Sequence, residues 1–121
     1  MGKEADDKMN REMQLDQQSL VSAWEEKLPA LMSDGDSFKV QADEADAKSL
    51  RIHFNAAGRQ KYSLDFRCTY VDSREVAVDL IDVEKSGHQT DERTDTVQEL
   101  AQQYTRQIHE CAQALQGLTN P

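Results

Sequence analysis

Val97, Ala101, Tyr104, Ile108, Cys111, Leu115 and Leu118 recur at steps of 4, 3, 4, 3, 4 and 3. That spacing lays all of them along one stripe of a long α-helix. Gln98, Gln102, Gln103, Arg106, Gln107, Glu110, Gln113 and Gln116 occupy the remaining positions, so the helix is wet on one side and needs cover on the other. The chain must supply a surface for that stripe to pack on.

A second helical face, Leu20, Val21, Trp24, Leu28 and Leu31, begins after Asp16, and Met9 and Met13 continue its phase upstream. Pro29 removes a backbone donor and kinks this helix or starts a short new turn. Ser33-Asp34-Gly35-Asp36 ends the segment. Residues 1–15 are charged and weakly patterned, which predicts a loosely ordered N-terminus before a single domain over 16–121. A chain of 121 residues suits one domain with one core.

Between the helices lie four runs with period two, the signature of half-buried strands. They are Phe38, Val40, Ala42; then Leu50, Ile52, Phe54; then Tyr62, Leu64, Phe66, Cys68, Tyr70; and finally Val76, Val78, Leu80. Ile81 and Val83 continue in the opposite phase, which a bulge or a strand buried on both sides near Leu80 would explain. The connectors Glu44–Lys48, Ala56–Lys61 and Asp72–Arg74 are short enough for hairpins, and Ser86-Gly87-His88 leads into the last helix. Thr96-x-x-Glu99 reads as a capping box for that helix, with Asp91, Thr94 and Asp95 as competing start points. The expected fold is α+β in the order α-β-β-β-β-α, a four-stranded antiparallel meander with both helices on one face. A helix from Val97 to Leu118 is about 33 Å long, against about 23 Å for a seven-residue strand, so its end should overhang the sheet. Leu115 and Leu118 then need cover from the N-terminal helix or from a second copy.

Composition narrows the function classes. Asp and Glu number 23 against 14 Lys and Arg, a net charge of −9 that disfavours nucleic acid and anionic membranes as partners. No membrane-length apolar run and no signal-peptide core are visible, so a cytoplasmic protein is expected. Cys68 and Cys111 fall on apolar faces and read as small core residues, with a disulfide between them as the alternative. His53, His88 and His109 lie on different elements with no companion at ligand spacing, and Asp34-Gly35-Asp36 lacks the later ligands of a calcium loop. Neither a metal nor a cofactor is expected. Phosphate-loop, nucleophile-elbow and Cys-x-x-Cys motifs are also missing, which disfavours an enzyme.

One constellation stands out from the rest of the surface. Arg51, His53, Asp65, Arg67 and Asp79 should project from a single sheet face, the one turned away from the helices. It reads as a mixed-charge docking surface, to which Ile81 and Val83 would add an apolar patch. Charge reversal at Arg67 would then weaken binding with little effect on stability. In size, charge and outline the chain resembles the chaperones of bacterial secretion effectors. Those interrupt their strands with a helix, whereas these runs are continuous and no motif matches, so that family is not assigned. The expected function is a non-catalytic protein-interaction module, an adaptor, small chaperone or regulator, whose partner is another protein or a second copy. The alternative is a small-molecule site or active site between the helices and the sheet.

Overall fold

The computed structural model describes residues 15–58, 61–91 and 93–120. The N-terminal segment and the upstream extension through Met9 and Met13 lie outside the described residues. Helix α1, Gln17–Lys27, starts where Asp16 accepts a hydrogen bond from the Ser19 backbone N–H at 2.8 Å. That bond holds the Asp16 carboxyl below its ordinary pKa and satisfies one of the orphan donors of the first turn. Pro29 sits at the start of a 3-10 turn, Leu28–Leu31, which ends the helical segment as its missing N–H requires.

The sheet is antiparallel, with strands β1 (Ser37–Ala42), β2 (Ser49–Asn55), β3 (Tyr62–Tyr70), β4 (Val76–Lys85) and β5 (His88–Gln89) in spatial order 1-2-3-4-5. The fifth strand corrects the four-stranded expectation and takes His88 out of a turn. Its cause is local: Ser86 (φ 53°) and Gly87 (φ 85°) are both left-handed, the geometry of a two-residue hairpin turn that sends the chain straight back along β4. Register places Leu50, Cys68 and Val78 in one row and Ile52, Phe66 and Leu80 in the next. Beyond that row the β3–β4 pairing shifts, so that Asp65 faces Asp82 and Leu64 faces Val83. Ile81 is the extra residue of this bulge and is left exposed, while Val83 returns to the core at 1% exposure. The bulge was expected; the apolar patch of Ile81 with Val83 was not correct.

Helix α2 spans Asp95–Ala114, and its N-cap is Thr94, whose side chain accepts from the Val97 N–H, rather than Thr96. Val97, Tyr104, Ile108 and Cys111 are buried together with Leu20, Trp24 and Leu28 of the first helical segment and with the apolar rows of the sheet. Gln107, assigned above to the wet side, is also covered. The Tyr104 ring stacks on Phe54 at 4.2 Å between centroids, and the Trp24 indole N–H donates to the Tyr70 hydroxyl at 3.1 Å. Both helices therefore pack on the face that carries Phe54 and Tyr70.

The expected overhang does not form. The helix breaks at Leu115, and a short helix α3, Gln116–Thr119, turns back onto the β3–β4 connection, where Thr119 Oγ1 donates to the Ser73 carbonyl at 2.9 Å. Leu115 is buried and Leu118 remains 52% exposed.

Cys68 and Cys111 are free thiols in the core. Burial raises both, pushing Cys111 up to about 12, so the thiolate that reacts with electrophiles is suppressed. Iodoacetamide at pH 8 should leave the native protein unmodified and label both cysteines once it is unfolded, as read by intact mass. Ile108 is fully buried, and Ile108→Ala should cost about 2–5 kcal/mol in denaturant unfolding. A midpoint that does not move would remove this residue from the core.

Candidate functional site

The face of the sheet opposite the helices is built from odd-numbered residues of β2 and β3, because side chains alternate along a strand. Arg51 lies opposite Arg67, which lies opposite Asp79; His53 lies opposite Asp65, which lies opposite Asp82. All five residues expected on one face are there. Arg51, His53, Asp65 and Arg67, with Gln41 and Asp43, line an open depression of about 460 Å³. Asp79 is in register with Arg67 but stands outside that depression, on the exposed side of β4.

Asp43 is the residue that sequence reasoning undervalued. It follows β1 directly and is 6% exposed, and its Oδ2 lies 3.2 Å from Arg67 Nε. Its Oδ1 accepts from the Ala45 N–H at 2.8 Å, an Asx turn that fixes the carboxylate against the strand. The Gln17 side-chain amide donates to the Asp43 and Ser49 carbonyls, tying the start of α1 to this same turn. The sequence placed the connector at Glu44–Lys48, directly after Asp43. That its carboxylate would be folded under an arginine two strands away depended on register.

His53 Nδ1 and Asp65 Oδ1 are 2.7 Å apart, and His53 Nε2 is 3.2 Å from Asn55 Oδ1. A carboxylate on one imidazole nitrogen is the orienting half of a nucleophile-activating relay. The second nitrogen faces the Asn55 side-chain amide rather than a hydroxyl or thiol. His53 and Asn55 also border a second open depression, about 610 Å³, with Lys61, Ser63 and Glu84. These last residues had no signal in the sequence beyond their polar phase.

Among the described residues no carboxylate reaches Arg51, and no group of three His, Cys, Asp or Glu side chains could hold a metal ion. Asp34-Gly35-Asp36 is a structural turn: Asp36 accepts from the Ala57 N–H at 2.7 Å and from the Tyr104 hydroxyl at 3.0 Å. No described helix is long and apolar enough to cross a membrane.

The Asp43 pair changes what Arg67 does. An exposed ion pair contributes little to folding, but a buried carboxylate that loses its cation is costly. Charge reversal at Arg67 is therefore expected to cost stability, where the sequence alone led to the expectation of little effect. Arg67→Glu should destabilise the fold by about 1–3 kcal/mol, and adding Asp43→Asn should restore part of that loss. The double-mutant cycle measures the coupling, and simple additivity would mean that the pair carries no weight.

No protein-family model matches this chain, and it matches no curated protein and no solved structure.

Proposed function

We propose that the protein is a non-catalytic interaction module that docks a partner protein on the polar face of its sheet. The observation that carries this reading is Arg51. In a chain with 23 acidic residues, a half-buried guanidinium beside a second arginine has no carboxylate among the described residues, while its neighbour Arg67 is held by Asp43. A carboxylate presented by a partner would complete it with a charge-assisted hydrogen bond. His53, Asp65 and Arg67 border the contact, and Asp79 adds an acidic flank. The two free thiols fit a reducing compartment such as the cytoplasm.

The competing class, a ligand site or active site between helices and sheet, has less support. Trp24, Phe66 and Tyr104 fill that space and are at most 1% exposed. The depression between α1 and the C-terminal segment, lined by Ala23, Glu26, Lys27, Leu115 and Leu118, holds about 220 Å³. That is below the roughly 300 Å³ at which ligand pockets begin, and the larger trough between α2 and the edge of β4, about 610 Å³, is open rather than enclosed.

A second copy is the other partner to test, because Leu118 leaves an apolar side chain outside the fold. Sedimentation velocity over a wide concentration range distinguishes the two partners: a monomer throughout ends the homodimer reading.

Arg51→Glu is the decisive variant. Affinity capture from the native host with wild type and variant in parallel, then titration of what the wild type alone retains, should show at least a tenfold loss. Thermal unfolding should stay within about 0.5 kcal/mol of wild type, since Arg51 has no partner to lose among the described residues. Equal capture by the two proteins would sink the docking face.

A further inference from the structure

Strand β4 is paired along only one side for most of its length among the described residues. β3 occupies its inner edge from Val76 to Lys85, whereas β5 reaches only Glu84 and Lys85 on the outer edge. The Thr90 N–H donating to the Val83 carbonyl at 3.2 Å extends that outer pairing by one more bond. From Val76 the outer N–H and C=O groups are therefore open, and the bulge after Leu80 limits the regular stretch to Val76–Leu80.

Natural sheets protect an open edge with lysine, proline or a cover. The opposite edge, β1, carries Lys39 in its middle, but Val76-Ala77-Val78-Asp79-Leu80 has neither lysine nor proline. At the Val76 end of this edge, Arg74, Glu75 and Val76 with His109, Gln113 and Gln116 line an open, mostly polar trough of about 610 Å³. Val76, Val78 and Leu80 are each half-buried on the side facing α2. On the other side stands Asp79, with Asp82 and Glu84 beyond it. An incoming strand thus meets apolar groups on one face and carboxylates on the other.

We propose that Val76–Leu80 is a strand-addition site for an extended segment of a partner protein in which apolar residues alternate with lysine or arginine. Its main chain completes the ladder of β4, its apolar side chains lie beside Val76, Val78 and Leu80, and its cations face Asp79. A second copy fits poorly, because two β4 edges would bring the Asp79 and Asp82 carboxylates of both chains onto one short ladder. The site differs from the Arg51 depression in position, in bonding mode and in the sign of the partner's charge.

The test uses the full chain and four synthetic peptides: alternating valine and lysine, the same peptide N-methylated at every second amide in one phase, its counterpart N-methylated in the other phase, and alternating valine and glutamate. Titration should show binding of the valine–lysine peptide and at least a tenfold loss in one N-methylated phase and with glutamate. Bound peptide should slow amide hydrogen exchange at Val76–Leu80. Asp79→Lys should weaken binding at least tenfold, while Arg51→Glu should not weaken it. Equal binding of both N-methylated forms and the parent would show that no ladder forms and overturn the proposal. So would absence of binding at millimolar peptide, protection elsewhere in the chain, or self-association of the protein through this strand.

Discussion

The side chain of Tyr104 holds the two layers together. Its ring lies nearly parallel to Phe54, 10° apart in plane, and edge-on to Phe66, so a single residue of α2 reaches both central strands. Its hydroxyl, carried past the stack, donates to Asp36 at the entry to β1. Asp36 uses its other oxygen to hold the Ala57 N–H after β2, so one phenol fixes the terminal helix, the first strand and the end of the second. Burial raises the phenol's pKa, and the Asp36 carboxylate adds to the shift, so the hydroxyl stays protonated and keeps donating. Trp24 and Tyr70 provide the matching contact at the other end of β3.

This arrangement gives the polar face its precision. Side chains that project from a packed strand are positioned better than side chains on a loop, because the rows beneath them cannot shift. Ile52, Phe54, Leu64 and Phe66 are immobilised below, and Arg51, His53, Asp65 and Arg67 inherit their spacing above. Asp43 adds a charge from the side, since a carboxylate fixed by its own turn stands 3.2 Å from Arg67 Nε. Arg51 is left as the adaptable cation.

The sequence was most legible where one period ran uninterrupted. The 3-4 stripe, read from Val97 to Leu118, identified α2, which spans Asp95–Ala114, and alternation located the polar face, because each signal is repeated many times over. It was least legible where a single residue decides. Ser86 and Gly87 adopt left-handed angles and create β5, yet a Ser-Gly pair serves equally well in an open link. Thr94, Asp95 and Thr96 can all cap a helix, and the chain's exit from β5 selects among them. Leu118 keeps the stripe's spacing, but the helix breaks three residues earlier, and Thr119 is bonded to the Ser73 carbonyl. Asp43 belongs with these: its partner is distant in sequence and becomes visible only through register.

The bulge at Ile81 shows how one local choice serves both layers. Without it, the continuous phase of Val76, Val78 and Leu80 would place Asp82 and Glu84 toward the helices and Val83 toward water. The extra residue reverses the phase, so Val83 enters the core opposite Leu64 while Asp82 joins Asp65 on the polar face. The displaced Ile81 is left exposed as the cost. The same kink ends the regular outer edge of β4, and beyond it the edge is taken up by Thr90 and β5. Core packing, the charge pattern of the exposed face and the length of the open edge therefore depend on how the bulge absorbs one inserted position. Deleting Ile81 would leave Leu80 and Val83 inward and Asp82 outward in an unbroken alternation, so only the kink itself would be lost.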